Sequence, residues 1–324
     1  MKLIRCLNKT GIFYYTLSVL NKSKYLISIA GPTAVGKTAA AIKLAKYYNT
    51  EIVSADSRQF YQEMSIGTAK PSVEELSAVP HHFIGSHSIK QSFNVGDFER
   101  DGLAKLNELF SNHDVVLMAG GSGLYVKAIT DGFDNLPDID PSVRLSLNET
   151  FEQEGINVLQ NRLKEVDPEY FEIVDKNNPQ RVIRALEVFE STGKPFSSFH
   201  KGAAKQRSFN IIKIILDLPR EELYNRINKR VDVMMEAGLL EEVKQLLPYR
   251  SLNALNTVGY SEIFDYLDGA TDLNTAIESI KQNTRRFAKR QLTWFRKDKD
   301  NKWFHPLDVD GMKTYIDNFI AANG

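Results

Sequence analysis

The sequence predicts an α/β fold: a parallel sheet with helices on both faces, a helical insertion between two of its strands, and a helical C-terminal region. Short apolar runs, each stopped by glycine, proline or aspartate, alternate with stretches that carry apolar residues at helical spacing. Proline punctuation without strand-like runs marks residues 131–206, and beyond Pro219 helical patterning continues almost to Lys297. Strands that alternate with helices need crossover connections, which bury both faces of the sheet.

Residues 1–24 carry Lys2, Arg5, Lys9, Lys22 and Lys24 and no acid, and read as a flexible basic arm. Their longest apolar run, residues 12–20, is interrupted by Thr16 and Ser18. It falls far short of the ~20 apolar residues a membrane-spanning helix needs, and no small-residue cleavage site follows it. Residues 25–30 read as a buried strand ending at glycine, and 38–48 as the helix after it. Residues 51–55 form a second strand ending at Asp56, 114–119 a third closed by Gly120 and Gly121, and 211–218 a fourth stopped by Pro219. Trp303 and Phe304 read as a short edge strand. Between them, Pro137, Pro141, Pro168, Pro179 and Pro195 divide short amphipathic helices. The organisation predicted is a core of residues 25–130 and 207–324, interrupted by an insertion at 131–206.

With 324 residues, 42% hydrophobic and 25% charged, the chain is an ordinary globular one able to bury a full core. Its formal net charge is zero, so only local concentrations of charge can speak for or against nucleic acid. The single cysteine, Cys6, excludes an internal disulfide framework and fits a reducing compartment, the cytoplasm. No repeat or low-complexity tract appears.

Gly31-Pro32-Thr33-Ala34-Val35-Gly36-Lys37-Thr38 fits the pattern G-x-x-x-x-G-K-[ST], between a predicted strand and a predicted helix. In that setting the glycines turn backbone N–H groups toward a phosphate, Lys37 supplies charge, and Thr38 can hold Mg²⁺. This makes the core P-loop NTPase-like. A chance match in a chain of this length has odds of roughly one in a hundred. A nucleotide-hydrolysing site usually adds an acid at the end of another core strand, but the 114–119 strand runs into Gly120-Gly121-Ser122-Gly123. The carboxylate that does end a strand near the loop is Asp56. It reads equally as a cap for the next helix or as a general base facing the phosphate site.

From Lys281 to Lys297 stand seven cations (Lys281, Arg285, Arg286, Lys289, Arg290, Arg296, Lys297) and no acid, with Phe287, Trp294 and Phe295 among them. A solvated helix face mixes both signs, so this concentration reads as a phosphate-tracking surface with stacking platforms. Gln180, Arg181 and Arg184 add a second basic group inside the insertion. His81 and His82 point in different directions along the chain with no cluster of acids or cysteines near them in sequence, so no metal is assigned to them.

Taken together, GPTAVGKT, SADSRQFY, MSIGTAKP, AGGSGLY, NPQRVIRALEV, TVGYSE and NTRRFAKRQLTWFR resemble the tRNA dimethylallyltransferase (isopentenyltransferase) family in its bacterial form, in order from Gly31 to Arg296. The resemblance implies a monomeric transferase that moves a dimethylallyl group from dimethylallyl diphosphate to N6 of adenosine 37, beside the tRNA anticodon. It implies Mg²⁺ as cofactor and Asp56 as the base that takes the amine proton. Thr38, Lys37 and Arg230 would bind the diphosphate with the rest of the Gly31–Thr38 loop, and Arg226 is a second arginine candidate. Asp56, Ser57, Arg58, Gln59, Gln180, Arg181, Arg184, Val258, Gly259, Tyr260, Arg285, Lys289, Arg290, Gln291 and Arg296 would touch tRNA. Ser122 and Arg144 would flank the reaction channel. Two positions depart from the family pattern: Ser122 stands where threonine is usual, and Gly85 stands where an acid is expected. A small-molecule kinase or an RNA-binding ATPase are the rival readings of the same loop. The first lacks a reason for the insertion and the basic helix, the second for the missing strand-end acid.

Overall fold

The computed structural model describes residues 3–8, 11–16, 23–133, 139–199 and 205–324, with residues 3–8 and 11–16 described by their backbone. Residues 1, 2, 9, 10, 17–22, 134–138 and 200–204, Pro137 among them, lie outside the described residues. Within the stretch read as a basic arm, β1 (Leu3–Asn8) and β2 (Gly11–Thr16) pair antiparallel from Leu3–Thr16 to Asn8–Gly11. The run Ile12-Phe13-Tyr14-Tyr15 has the β-branched and aromatic content that favours such a strand.

The core sheet follows. β3 (Tyr25–Ala30) leads through the P-loop into α1 (Lys37–Tyr48), then β4 (Ile52–Ser54), α2 (Val73–Ala78), β5 (His81–His82) and α3 (Val95–Phe110). β6 (Val115–Gly120) and α4 (Gly123–Thr130) complete the first half. After the insertion come β7 (Asn210–Leu216), α9 (Arg220–Glu236), α10 (Leu239–Leu246), α11 (Ser261–Leu267), α12 (Leu273–Phe295), β8 (Lys302–Phe304) and α13 (Val309–Asn323). The six strands lie in the order β5-β4-β6-β3-β7-β8, and every pairing is parallel.

Every residue of β3 is buried, which is why it reads as a continuous apolar run and not as an alternating one. On one face Ile27 and Ile29 pack with Ala41 and Leu44 of α1 and Met312 and Ile316 of α13. On the other, Leu26, Val116 and Met118 pack with Phe98 and Leu106 of α3 and Ile129 of α4. α9 to α12 share a third cluster built on Val231, Val243, Tyr260, Ile263 and Ile280. The chain enters α1 from the sheet centre and returns two positions away in β4, skipping β6. The P-loop therefore sits over a crevice at the carboxyl ends of the strands, where open α/β sheets bind ligands. Among the described residues no helix is long and apolar enough to cross a membrane.

Asp131–Gln206 forms a second compact unit. It holds α5 (Pro141–Glu154), α6 (Ile156–Val166), α7 (Pro168–Ile173) and α8 (Pro179–Thr192) around Leu147, Leu159, Leu163, Val182 and Leu186. Three of these helices begin with proline at the first position, behind Asp140, Asp167 or Asn178, whose side chains accept from backbone N–H groups of the first turn. Proline there loses no helical hydrogen bond and the Asx side chain satisfies an orphan donor. The prolines thus start helices.

Candidate active site

The P-loop owes its shape to two unusual backbone positions. Gly36, the N-cap of α1, has φ 105°, and Ala34 sits at φ 62° in the left-handed region. These turns aim the first N–H groups of α1, which have no partner inside the helix, at one point above the sheet. Lys37 Nζ lies over the same loop, donating to Gly31 O at 3.1 Å and Pro32 O at 2.7 Å. Burial lowers its pKa to about 8, the charge of Asp56 opposes that, and Arg230 adds to it.

Arg226 and Arg230 are one turn apart on α9, so both face the loop. Arg230 Nη1 donates to Thr33 Oγ1 at 3.3 Å and Nη2 to Ala69 O at 3.4 Å. Burial lowers the Arg230 pKa as well, against the pull of Asp56 and Glu75. Arg226 pairs with Glu222 at 2.8 Å and lies beside Gly36, close to where a side chain there would begin. Lys37 and Arg230 therefore share a partly desolvated crevice with the loop N–H groups and Asp56, and their aligned donors suit it to a polyanion.

Asp56 stands just beyond β4. Its Oδ1 accepts from Arg58 N at 3.0 Å and Gln59 N at 3.4 Å and so closes a turn over residues 57–60; the next helix starts only at Val73, so Asp56 does not cap a helix as the sequence suggested. Its charge also acts on both Lys37 and Arg230, which places it at the phosphate site. One oxygen of the carboxylate is thus engaged in the turn. Ser122, just past β6, accepts from Ser57 N at 2.9 Å and donates to Ser57 Oγ at 3.0 Å, so the hydroxyl retained at this position ties the two strand ends together. Arg58 donates to the carbonyls of Asn253 and Asn256, holding the segment before Val258 and Gly259. Gln59 Nε2 donates to Thr68 O at 3.2 Å and Ala69 O at 3.0 Å.

Three residues expected at the tRNA surface are interior ones: Gly259, whose buried N–H donates to Glu262 Oε2 at 2.8 Å, Gln291 and Tyr260. Gln291 is 7% exposed; its Oε1 accepts from Thr33 N at 2.9 Å and its Nε2 donates to Gly121 O at 2.7 Å. It clamps the P-loop to the end of β6, and it occupies the Thr33 N–H that the motif alone would offer to phosphate. Tyr260 is fully buried, with its hydroxyl on Glu242. Both follow from α11 and α12 packing against the core with a polar group inward, which apolar periodicity does not reveal.

The basic helix divides in the same way. Lys281 pairs with Asp232 and Glu278, Arg285 donates to Asn228 at 2.5 Å, and Arg296 lies 3.6 Å from Asp217 and over the Trp303 ring. Arg286, Lys289, Arg290 and Lys297 are exposed. Arg290, which could have been buried against the core, instead lies over the ring of Phe287, itself 38% exposed. This is a face of cations with an aromatic platform.

In the second unit, Glu187 is 1% exposed and holds two of the expected site arginines, Arg144 and Arg184. Arg144 donates to Glu187 Oε1 at 3.0 Å and to Gln180 Oε1 at 2.6 Å, and Arg184 reaches Glu187 Oε2 at 3.3 Å. Arg181 is exposed on the same helix. A buried carboxylate shared by two half-exposed arginines holds their outer N–H groups in place for another acceptor.

Among the described residues no three His, Cys, Asp or Glu side chains gather into a cation site. Thr38, half-buried in the first turn of α1, fits the other way of holding magnesium: one protein oxygen, with the remaining ligands from phosphate and water.

A profile of the IPP transferase family matches residues 59–298. The chain is 57% identical over 300 residues to the tRNA dimethylallyltransferase of Christiangramia forsetii, covering 93% of this chain and 98% of the relative. It superposes on the full-length tRNA isopentenylpyrophosphate transferase of Bacillus halodurans with a TM-score of 0.67 at 40% identity, over 92% of this chain and 96% of the other. A eukaryotic dimethylallyltransferase whose structures show it acting on tRNA matches with a TM-score of 0.73 at 28% identity, over 89% of this chain and 75% of that one. A profile spanning most of the chain and a relative matched over nearly its whole length lead to one conclusion: the protein belongs to the IPP transferase family.

Proposed function

We propose that this enzyme transfers the dimethylallyl group of dimethylallyl diphosphate to N6 of adenosine 37 in tRNA, releasing diphosphate. The observation that carries the reading is the crevice where Lys37 and Arg230 meet the P-loop, with the charge of Asp56 acting on both and no acid at the end of β6. In the transfer, the allylic C–O bond breaks and its electron pair leaves on the diphosphate. The loop N–H groups, Lys37 and Arg230 stabilise that developing charge. The adenine amine forms the new C–N bond and its proton passes to Asp56 Oδ2, while Oδ1 keeps the turn in place. An adenine inside a base stack cannot reach this point, so the base must be flipped out to react. Thr38 would hold magnesium, which, when bound, neutralises charge on the diphosphate oxygens. The lone cysteine supports a cytoplasmic setting. Incubation with tRNA and either labelled dimethylallyl diphosphate or labelled ATP tests the reading. Label from the isoprenyl donor should enter tRNA; ATP turnover without that transfer would return the kinase or ATPase reading.

The tRNA surface carries its own test. The exposed cations Arg286, Lys289 and Arg290 are the ones to replace, because Arg285 and Arg296 already have partners in the fold. Changing all three to Gln should weaken tRNA binding and flatten its salt dependence, by up to ~0.7–0.9 in log–log slope for every phosphate that is no longer neutralised. The Michaelis constant for the diphosphate should stay where it is. An unchanged slope and affinity would make this face merely solvated.

A further inference from the structure

We propose that Glu242 is a positioning residue for the diphosphate site: it clasps the backbone at residues 65–67 and, through that loop, sets where Arg230 and Gln59 lie. The proposal rests on reading Arg230 as a diphosphate ligand. Glu242 stands on α10, away from the motifs that carry the chemistry. Its Oε2 accepts from Ser65 N at 2.9 Å and Ile66 N at 2.7 Å, and its Oε1 from Gly67 N at 3.0 Å and from Tyr260 Oη at 2.6 Å. Three consecutive N–H groups converging on one anion form a nest. A carboxylate, with two acceptor oxygens and no donor, is the side chain that can answer all of them. Burial and the charge of Glu242 raise the Tyr260 pKa, so the phenol stays protonated and remains a donor.

Sequence and packing agree on how tightly the loop is held. A side chain at Gly67 would begin 2.5 Å from Cε2 of the Tyr260 ring, so the close approach requires glycine. Two residues on, Ala69 adopts φ 49°, a left-handed conformation that an alanine keeps only where its surroundings impose it. Ala69 N closes the turn on Ile66 O at 2.9 Å, and Thr68 Oγ1 donates to Met64 O at 2.7 Å. That turn points the carbonyls of Thr68 and Ala69 at the site. Ala69 O accepts from both Gln59 Nε2 and Arg230 Nη2, while the other arm of Arg230 reaches Thr33 in the P-loop. Arg230 thus has two anchors, and Glu242 fixes one of them. Lys70 seals the far side, donating to Tyr61 O, Gln62 O and Ser65 Oγ; Gly85, where the family pattern has an acid, lies next to this amine.

Glu242→Gln keeps the volume but replaces one acceptor oxygen with a donor that faces N–H groups. We expect the Michaelis constant for dimethylallyl diphosphate to rise ~10-fold or more and kcat to fall by less, alongside a loss of about 1–3 kcal/mol of stability from the donors left facing an amide. A purely structural role would cost the same stability but leave that constant unchanged in the enzyme that remains folded, and that outcome overturns the proposal. A cycle with Arg230→Gln decides the route. If Glu242 acts through Arg230, the double variant should lose no more than ~2-fold beyond Arg230→Gln alone, because residues in one network are not additive. Losses that multiply overturn the proposal. Should Glu242→Gln fail to fold, Tyr260→Phe takes its place in the same cycle, since it removes one donor to Glu242 and keeps the ring against Gly67. Its expected effect is ~2–5-fold on the same constant, and no effect overturns the clasp. If Arg230→Gln itself leaves the diphosphate constant unchanged, the ligand reading falls and the clasp with it. A raised constant in Arg230→Gln beside an unchanged one in Glu242→Gln sinks the clasp alone.

Discussion

Asp56→Asn should slow transfer at saturating substrates by ~10²–10⁴-fold, the range lost with one acid–base group, while diphosphate binding persists. Asparagine is the informative replacement because it separates the two roles of this residue. Its carbonyl oxygen can still accept from Arg58 N and Gln59 N, as Oδ1 of Asp56 does, but an amide cannot take a proton from an attacking amine. Asp56→Ala removes both functions and leaves the N–H groups of Arg58 and Gln59 without this charged acceptor, at a cost of about 1–3 kcal/mol of stability. A rate measured in single turnover, with both substrates prebound, isolates the chemical step from product release. If Asp56→Asn transfers within about threefold of the parent under those conditions, Asp56 is a turn-closing residue whose charge merely tunes Lys37 and Arg230, and the proton leaves by another route. The charge has a second consequence. Asp56 supports the ammonium of Lys37 against burial, yet it also repels an incoming diphosphate. These act in opposite directions on diphosphate affinity, so affinity should change far less than rate.

The elements that were legible in the sequence are those whose signal is local. β3 is a closed apolar run ended by glycine, and the P-loop announces itself by residue type and spacing. The i, i+4 placement of Arg226 and Arg230 on α9 puts both toward one neighbour whatever that neighbour is. β5 escaped notice because two residues, His81 and His82, make no pattern; it exists because parallel pairing with Ile52 and Val53 is available to them. The seven cations of α12 were countable, but their partners were not. Asp232 and Asn228 lie on α9 and Asp217 follows β7, and only the fold brings those acceptors to Lys281, Arg285 and Arg296. Gln291 looked like one more polar residue on a basic helix. Its amide is instead matched at both ends by backbone groups 170 and 258 residues away, and such a match leaves no trace in helical periodicity. Glu242 is the extreme case: an unremarked acid on an amphipathic helix, whose meaning comes from three N–H groups of a motif about 175 residues earlier.

Lys37 should show the steepest dependence on pH of any group in the site. Burial holds its ammonium down at about 8, with Asp56 pulling the other way. The charged form predominates below that value and is the form that attracts a diphosphate. In the free enzyme, kcat/KM for the diphosphate should therefore be flat on the acid side and fall as pH rises through about 8, approaching tenfold per unit as the lysine gives up its proton. Once bound, the polyanion raises the pKa of the lysine beside it, so kcat at saturation should hold to higher pH than kcat/KM. Lys37→Met should lower the rate at neutral pH by ~10²–10³-fold, as for the loss of one donor aimed at developing charge, and should abolish the inflection. Lys37→Arg keeps a cation throughout this range; whatever activity it retains should not fall on the alkaline side. The donor's own ionisation is common to all three proteins and cancels in their ratios. An inflection near 8 that persists unchanged in Lys37→Met would assign it to another group and leave Lys37 with no part in reading the phosphate.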